Sequence, residues 1–169
     1  KKQLLILAML LASARLFANQ GTTDSIPANP RDVESVDAII GALYNVISGP
    51  AGELRNWDRM RTLFIPEAKM MATGKRPDGS MARRVMTVED YIKTSGPFLE
   101  KNGFFEREIG RTEDRFGSVV HVFSTYDSKK TVHDEKPFMR GINSIQLWYD
   151  GSRWWIVSVF WQSESPDVP

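Results

Sequence analysis

Two histidines are prominent among the residues of this sequence that could carry chemistry, because its 169 residues include no cysteine. His121 lies between Val120 and Val122 in a segment typical of a β-strand. A buried imidazole at this position could act as a general base or as a hydrogen-bond donor. A core or interface histidine, satisfied by a neighbouring hydroxyl or carbonyl, explains the position equally well. His121 is therefore a catalytic candidate with both interpretations open.

His133 precedes Asp134 and Glu135, a run that suggests metal ligands. Lysines flank the run on both sides, and a ligand set needs several converging side chains, so a solvated loop is the better interpretation. We predict no metal site. Without cysteine, zinc ribbons and iron–sulfur clusters are excluded, and without a glycine-rich phosphate loop or a Gly-x-Ser-x-Gly elbow we expect no nucleotide cofactor and no elbow-type hydrolase. No other cofactor is indicated.

Asp58 follows Trp57 at the start of a predicted helix, where the helix dipole alone favours a carboxylate. Asp58 is the second catalytic candidate, with that structural role as the alternative. Arg107, Arg111 and Arg140 could hold a carboxylate or an enolate, but paired charges at solvated strand edges account for them too.

Amide and hydroxyl side chains interrupt an apolar strand near the end of the chain, at Asn143, Ser144 and Gln146. If these groups are buried, they need hydrogen-bond partners. Asn143 and Gln146, together with Trp57 and Tyr91, are the residues that we expect to line a ligand pocket.

Three helices come before the strands. Asn29 can cap a helix that begins at Pro30 and carries an apolar stripe to Ile47. A second helix is predicted from Asn56 to Ile65, ended by Pro66, and a third follows the Thr87–Asp90 capping box, broken or bent at Gly96-Pro97. The segments 69–73 and 81–86 flank a Pro-Asp-Gly turn and predict a hairpin. Four longer strands are predicted at 104–112, 118–126, 140–149 and 153–162.

Helices followed by strands joined through short turns predict an α+β fold, with an antiparallel sheet covered by helices on one face. Large side chains occupy both faces of the strands, as the alternation around His121 and the tryptophans of the last hairpin show. Since one layer of helices covers only one face, we predict a homodimer through the other face, burying Trp148 or Trp161.

The chain resembles the nuclear transport factor 2-like superfamily, which includes ketosteroid isomerase, scytalone dehydratase and the SnoaL-like cyclases. The resemblance is carried by residues 57–66, by Gly141–Leu147 and by the terminal run through Asp150-Gly151 and Trp154–Val159 to Trp161. It spans residues 30 to 164 and implies a curved antiparallel sheet, or cone, with the N-terminal helices packed on its concave face. The dehydratase pattern is incomplete, because the last two strands hold no histidine.

The N-terminus has the features of a secretory signal. Two lysines precede an apolar stretch that ends at Arg15, too short to span a membrane, and Ala18 offers a cleavage position. We expect a signal peptide over 1–18, a flexible leader over 19–29, and one domain over 30–165. We therefore expect the mature protein to be exported, to the periplasm or to the extracellular space, and to have no stable membrane anchor.

Binding follows from the cone itself. The formal net charge of +1 gives no support for a nucleic-acid partner. We expect a pocket that takes a small apolar molecule, or else an interaction module. The alternative is a cofactor-independent isomerase, cyclase or dehydratase with His121 or Asp58 as its base.

Overall fold

The computed structural model describes residues 26–168, which form four helices and six strands. The predicted signal peptide and most of the leader lie outside the described residues, so both stay predictions. The helices are α1 (Pro30–Val33), α2 (Val36–Ile47), α3 (Trp57–Arg61) and α4 (Val88–Asn102). The strands are β1 (Phe64–Lys75), β2 (Met81–Met86), β3 (Phe105–Phe116), β4 (Val119–Lys129), β5 (Met139–Tyr149) and β6 (Trp154–Ser163). No helix within 26–168 has the length and apolar character needed to cross a membrane.

The strands form one sheet in the order β2-β1-β6-β5-β4-β3. The α+β prediction is confirmed, with one difference in the sheet: β1 and β6 pair in parallel, while every other neighbouring pair is antiparallel. Register shifts mark bulges in two strands, with Ile109 as the extra residue of β3 opposite β4 and Val157 as the extra residue of β6 opposite β5. Bulges bend strands, so they account for the curvature of the sheet.

Alternate residues of β4 divide the sheet into two faces. Val120, Val122 and Tyr126 are fully buried beneath the helices, on the side that we call the inner face. Val119 and Phe123 are exposed on the opposite side, the outer face. Each strand residue faces away from its neighbours in sequence, so the faces extend across the paired strands. The inner face and α2 together hold most of the apolar core.

The predicted capping contacts are present at the helix starts, but the first predicted helix is divided into two. The Asn29 side chain accepts a hydrogen bond from the Arg31 amide, and the capping box of Thr87 with Asp90 is present. The first predicted helix is divided, because Ser35 caps a new helix by accepting a hydrogen bond from the Ala38 amide. We expected the third helix to be broken or bent at Gly96-Pro97, and it runs without a break from Val88 to Asn102 with Pro97 inside it.

The second predicted helix is shorter than expected. It ends at Arg61, and Phe64 already pairs with Ile156 of β6. Pro66 lies inside β1, within the stretch where the register of the β1–β6 pairing shifts. A proline lacks an N–H and fits a strand at such an irregularity, so in this context it does not mark the end of a helix.

Arg55 connects the C-terminal ends of α2 and α4 through hydrogen bonds. Its guanidinium is buried and donates hydrogen bonds to the carbonyl oxygens of Ile47, Gly49, Glu53 and Leu99. These carbonyls lie at or after the end of α2, in the loop before α3 and in the last turn of α4. Free carbonyls at helix ends need donors, and one arginine supplies several of them. Arg55 thereby fixes α4 relative to α2.

Candidate functional site

A cavity of about 330 Å³ lies between the inner face of the sheet, α2 and α4, and we call it the cone pocket. Its walls are apolar and strongly aromatic. Six aromatic side chains line it, which are Tyr44, Tyr91, Phe98, Phe104, Tyr126 and Trp161. Met70 of β1 and Met139 of β5 add flexible apolar surface.

One side of α4 forms the wall and the mouth of the cone pocket. Tyr91, Thr94, Ser95, Phe98 and Leu99 all line the cavity, at the three- and four-residue spacing that places them on one helix face. Tyr91 and Leu99 are buried, whereas Thr94 and Phe98 are exposed. The cavity therefore opens beside the middle of α4.

Glu106 is the charged residue of the cone pocket lining. It belongs to β3, where its amide and carbonyl both bind the Ser48 hydroxyl at the end of α2. Its carboxyl oxygens accept hydrogen bonds from Ser128 Oγ at 2.9 Å and from Asn143 Nδ2 at 3.3 Å. Burial raises the pKa of the Glu106 carboxyl to about 7, assisted by the charge of Asp127 and opposed by these two hydrogen bonds.

A hydrogen-bond chain connects Glu106 to the interior of the fold. Asn143 Nδ2 also donates to the Tyr44 hydroxyl at 3.1 Å, and that hydroxyl lies 2.7 Å from Ser124 Oγ. Ser124 in turn donates to the Glu108 carboxylate. Since the Ser124 hydrogen is directed at Glu108, Tyr44 must donate to Ser124. The Tyr44 proton is thus committed within the protein, and burial raises its pKa further above neutrality.

Tyr91 contributes the hydroxyl that is available to a ligand. Across residues 26–168 this hydroxyl has no hydrogen-bond partner, although it is not sealed from solvent. Its ring packs edge-on against Trp161, with ring centroids 6.1 Å apart. Burial raises the pKa of Tyr91, so the group is protonated at neutral pH and can donate a hydrogen bond into the cone pocket.

The arginines considered from the sequence are engaged in ion pairs outside the cone pocket. Arg107 Nε lies 2.9 Å from Asp127, and Arg111 pairs with Asp37. Arg140 lies 3.5 Å from Glu164. Arg107 and Arg140 agree with the interpretation as paired charges on solvated strand faces. Arg111 is paired but mostly buried, and its Nη1 has no hydrogen-bond partner among residues 26–168.

Two of the predicted pocket residues, Tyr91 and Asn143, line the cone pocket. His121 and Gln146 lie on the outer face, where His121 Nε2 is 2.9 Å from Ser144 Oγ. The alternation of β4 explains this placement, because the helices cover Val120 and Val122, which leaves His121 on the other side of the sheet. A molecule in the cone pocket therefore does not contact His121.

Trp57 and Asp58 also lie outside the cone pocket. The Trp57 ring packs against Gly96 of α4, where an added Cβ would lie 3.1 Å from the ring, and its Nε1 donates to Glu100 at 2.9 Å. Asp58 is exposed at the start of α3 and lies 2.7 Å from Arg61. This matches the structural role considered for Asp58 from its sequence position.

Sequence reasoning missed Glu106, Tyr44 and Tyr126. In the sequence Glu106 looks like an ordinary surface charge, because it alternates with Arg107 along a strand. A signal was present in β4, where Ser124, Tyr126 and Ser128 recur at every second residue on the side of Val122. Hydroxyls in that pattern indicate a polar patch on the buried face.

Within the described range, no group of three or more acidic or histidine side chains is placed to hold a metal ion. The cone pocket as it stands offers acid–base and hydrogen-bonding groups in an apolar enclosure. It can orient a small molecule through Glu106 and Tyr91 and exchange a proton with it near neutral pH.

Neither the protein-family models nor the curated proteins give a match to this chain. Solved structures do match. A protein of unknown function with a cystatin-like fold from Nostoc punctiforme superimposes with a TM-score of 0.59 at 8% identity, over 85% of this chain and 98% of that one. A nuclear transport factor 2-like protein of unknown function from Silicibacter pomeroyi gives 0.53 at 11% identity, over 78% and 94%.

The chain has the nuclear transport factor 2-like fold. An uncharacterised protein with a cystatin-like fold from Caulobacter vibrioides agrees, with a TM-score of 0.56 at 11% identity over 79% of this chain and 90% of that one. At such identities the likeness shows the fold alone. A nuclear transport factor 2-like cone hosts many activities, so the function has to be argued from the side chains in the cone pocket.

Proposed function

We propose that the protein binds a small, mostly apolar molecule in the cone pocket. The observation that carries the proposal is a cavity with apolar and aromatic walls that holds one ionisable carboxyl, Glu106, and the Tyr91 hydroxyl, which has no hydrogen-bond partner among residues 26–168. Ligand sites have this composition, in which apolar walls supply the affinity and a few polar groups fix the orientation. The volume of about 330 Å³ is near the lower end for such sites, which favours a compact ligand.

A second function is favoured by the pKa of Glu106. A carboxyl that titrates at about 7 can accept and return a proton at neutral pH, which is the requirement for a general acid or base. A cofactor-independent isomerase or lyase would use Glu106 in this role. In that mechanism Glu106 takes the place assigned to His121 or Asp58 from the sequence, because both of these lie outside the cone pocket.

Binding is tested by ligand-observed NMR with two compact probes, tert-butylbenzene and acetophenone. Thr94→Trp places an indole at the mouth of the cone pocket, whereas Lys93→Trp puts the same side chain at an exposed position beside it. We expect saturable binding to the unmodified protein and to Lys93→Trp, and at least tenfold weaker binding to Thr94→Trp. Absence of saturable binding, or equal binding to the two tryptophan variants, would refute the proposal.

Catalysis is tested on the same probe. Acetophenone in D₂O exchanges its methyl protons through the enol, so a base in the cone pocket should accelerate the exchange. If Glu106 is that base, Glu106→Gln slows the protein-dependent exchange by about a hundredfold or more, the usual contribution of a general base. Exchange no faster with protein than with buffer leaves the binding function and removes proton abstraction.

A further inference from the structure

The aromatic side chains of the cone pocket share the cavity with a carboxyl group, Glu106, that has no ion-pair partner among residues 26–168. Glu106 makes no ion pair within 4.0 Å in the part of the chain that the structure describes. No lysine, arginine or histidine of residues 26–168 lines the cavity with it. On the other side of Glu106, Arg107, Arg111 and Lys129 line a second cavity with it. None of the three lies within 4.0 Å of its carboxyl, and Arg107 and Arg111 pair with Asp127 and Asp37 instead.

The two oxygens of Glu106 receive hydrogen bonds from protein donors. Ser128 Oγ donates to one oxygen and Asn143 Nδ2 to the other. Donors on both oxygens favour the carboxylate over the neutral acid, because protonation would turn one oxygen from an acceptor into a donor. The Glu106 carboxylate therefore has a hydrogen-bond donor on each oxygen but no ion-pair partner within 4.0 Å among residues 26–168.

Aromatic rings complete the arrangement. The face of an aromatic ring carries partial negative charge and attracts a cation within about 6 Å of its centre. Tyr91 and Trp161 meet edge to face, so their ring planes are nearly perpendicular, at 88°. These two rings and the four other aromatic side chains line the cavity together with Glu106. Aromatic rings near a carboxylate are the side chains that recognise substituted ammonium groups.

We propose that the natural ligand of the cone pocket carries a substituted ammonium group, held by the Glu106 carboxylate and the surrounding aromatic rings. This inference rests on the proposed binding function and narrows it to one chemical class, an organic amine or quaternary ammonium with apolar substituents. The apolar part of the ligand contacts Met70, Met139 and Val159.

Glu106 is the group whose charge matters near neutral pH. The other ionisable groups near it are Asp127 and Arg107, which pair with each other, and the hydroxyls of Tyr44, Tyr91 and Tyr126. On its other side, Glu108, Arg111 and Lys129 line a second cavity with it. The pKa values of the three tyrosines are raised, that of Tyr126 to about 12, so these side chains stay neutral between pH 5.5 and pH 8. A ligand of fixed positive charge therefore binds better as pH rises through the titration of Glu106.

The test compares phenyltrimethylammonium with tert-butylbenzene, which has the same shape and no charge. At pH 8 we expect the cation to bind the unmodified protein at least tenfold tighter, and this preference to shrink toward pH 5.5. Glu106→Gln should remove both the preference and its pH dependence. Glu113→Gln, which removes one carboxylate from the same strand away from the cone pocket, should keep both.

The possible results distinguish a failure of the ammonium inference from a failure of the proposed binding function. If tert-butylbenzene binds as well as or better than the cation at pH 8, the ammonium inference fails and the binding function stands. A preference for the cation that does not change between pH 5.5 and pH 8 would likewise overturn the inference, since it would show that the Glu106 carboxylate does not hold the ammonium group. If no probe binds, both fail. The pH profile of the unmodified protein decides the matter even if Glu106→Gln does not fold.

Discussion

Glu106 couples the chemistry of the cone pocket to the stability of the fold. Its pKa is about 7 in the folded protein against an ordinary value of 4.5, so between these values the folded state binds more protons than the unfolded state. The contribution of Glu106 to the free energy of unfolding is therefore lost as pH rises from 4.5 to 7, by about 3 kcal/mol in all. Ionisation of the buried Glu106 carboxyl near neutral pH therefore lowers the free energy of unfolding.

The first prediction isolates that cost. Relative to the unmodified protein, Glu106→Gln should gain up to about 3 kcal/mol in the free energy of unfolding between pH 4.5 and pH 8, because glutamine does not ionise. Urea denaturation of both proteins across this pH range measures the difference between their free energies of unfolding. The contributions of the other titrating groups are the same in both proteins and cancel in this difference. Two stability curves that stay parallel would show that Glu106 titrates normally.

Tyr91 and Tyr44 provide a matched pair for a second prediction. The Tyr91 hydroxyl has no partner among residues 26–168, so Tyr91→Phe should change the free energy of unfolding by less than about 0.5 kcal/mol. Tyr44→Phe removes contacts to Ser124 and Asn143 and should destabilise the protein by about 1–3 kcal/mol. Denaturant titration of the two variants checks this. An equal or larger loss for Tyr91→Phe would place a protein partner on that hydroxyl.

At the scale of elements, the position of α4 depends on Arg55. Arg55→Lys keeps the charge but replaces a planar fork of five N–H groups by one ammonium, which cannot reach the same carbonyls. We expect a loss of about 2–4 kcal/mol in the free energy of unfolding, because buried carbonyls are left without donors. Arg83→Lys, on exposed β2, is the control and should be neutral within about 0.5 kcal/mol. Equal stability of the two variants would contradict this role.

Local signals in the sequence predicted the elements where the chemistry is local. Asn29-Pro30 and the Thr87–Asp90 capping box mark helix starts through contacts within one turn, and both are present. The failure at Phe64–Pro66 has a tertiary cause, since the parallel pairing with β6 draws this segment into the sheet. Neighbours distant in sequence decide such a case, and local patterns do not contain them.

The candidate site was predicted only in part, for the same reason. Tyr91 and Asn143 were expected in the pocket and lie there, whereas His121 and Gln146 were expected there and lie on the outer face. Strand alternation places Asn143 on the face opposite to His121 and Gln146, but which face meets the helices depends on how the whole sheet packs. Glu106 was harder to predict from the sequence, because its burial results from the packing of α2, β4 and β5 around it.

At the scale of the whole molecule, the outer face is the surface left for assembly. Trp148 and Phe160 are each 41% exposed there, beside the uncharged Ser144 and Gln146. This central part of the outer face is apolar or neutral, whereas the exposed charges of Lys69 and Asp114 lie on the flanking strands β1 and β3. We propose a homodimer through the outer face. Of the two tryptophans named from the sequence, Trp148 lies on this face, whereas Trp161 lines the cone pocket.

Sedimentation tests the dimer. Trp148→Glu should convert a dimer at micromolar concentration into a monomer, since burying an unpaired carboxylate in the interface is costly. Leu54→Glu introduces the same charge in a loop, at a side chain that is 86% exposed, and should leave the dimer intact. A monomeric unmodified protein, or dissociation by Leu54→Glu alone, would refute the assembly.

The claim that the cone pocket is the functional site is tested most directly by the methionine methyl resonances of the unmodified protein. Met70 and Met139 line the cone pocket, whereas Met81 lies exposed on β2 and Met60 is buried in α3. Titration with phenyltrimethylammonium and, separately, with tert-butylbenzene should shift the methyl signals of Met70 and Met139 in a saturable way and leave those of Met81 and Met60 unchanged. Unshifted Met70 and Met139 signals at saturating concentrations of both probes would contradict the account.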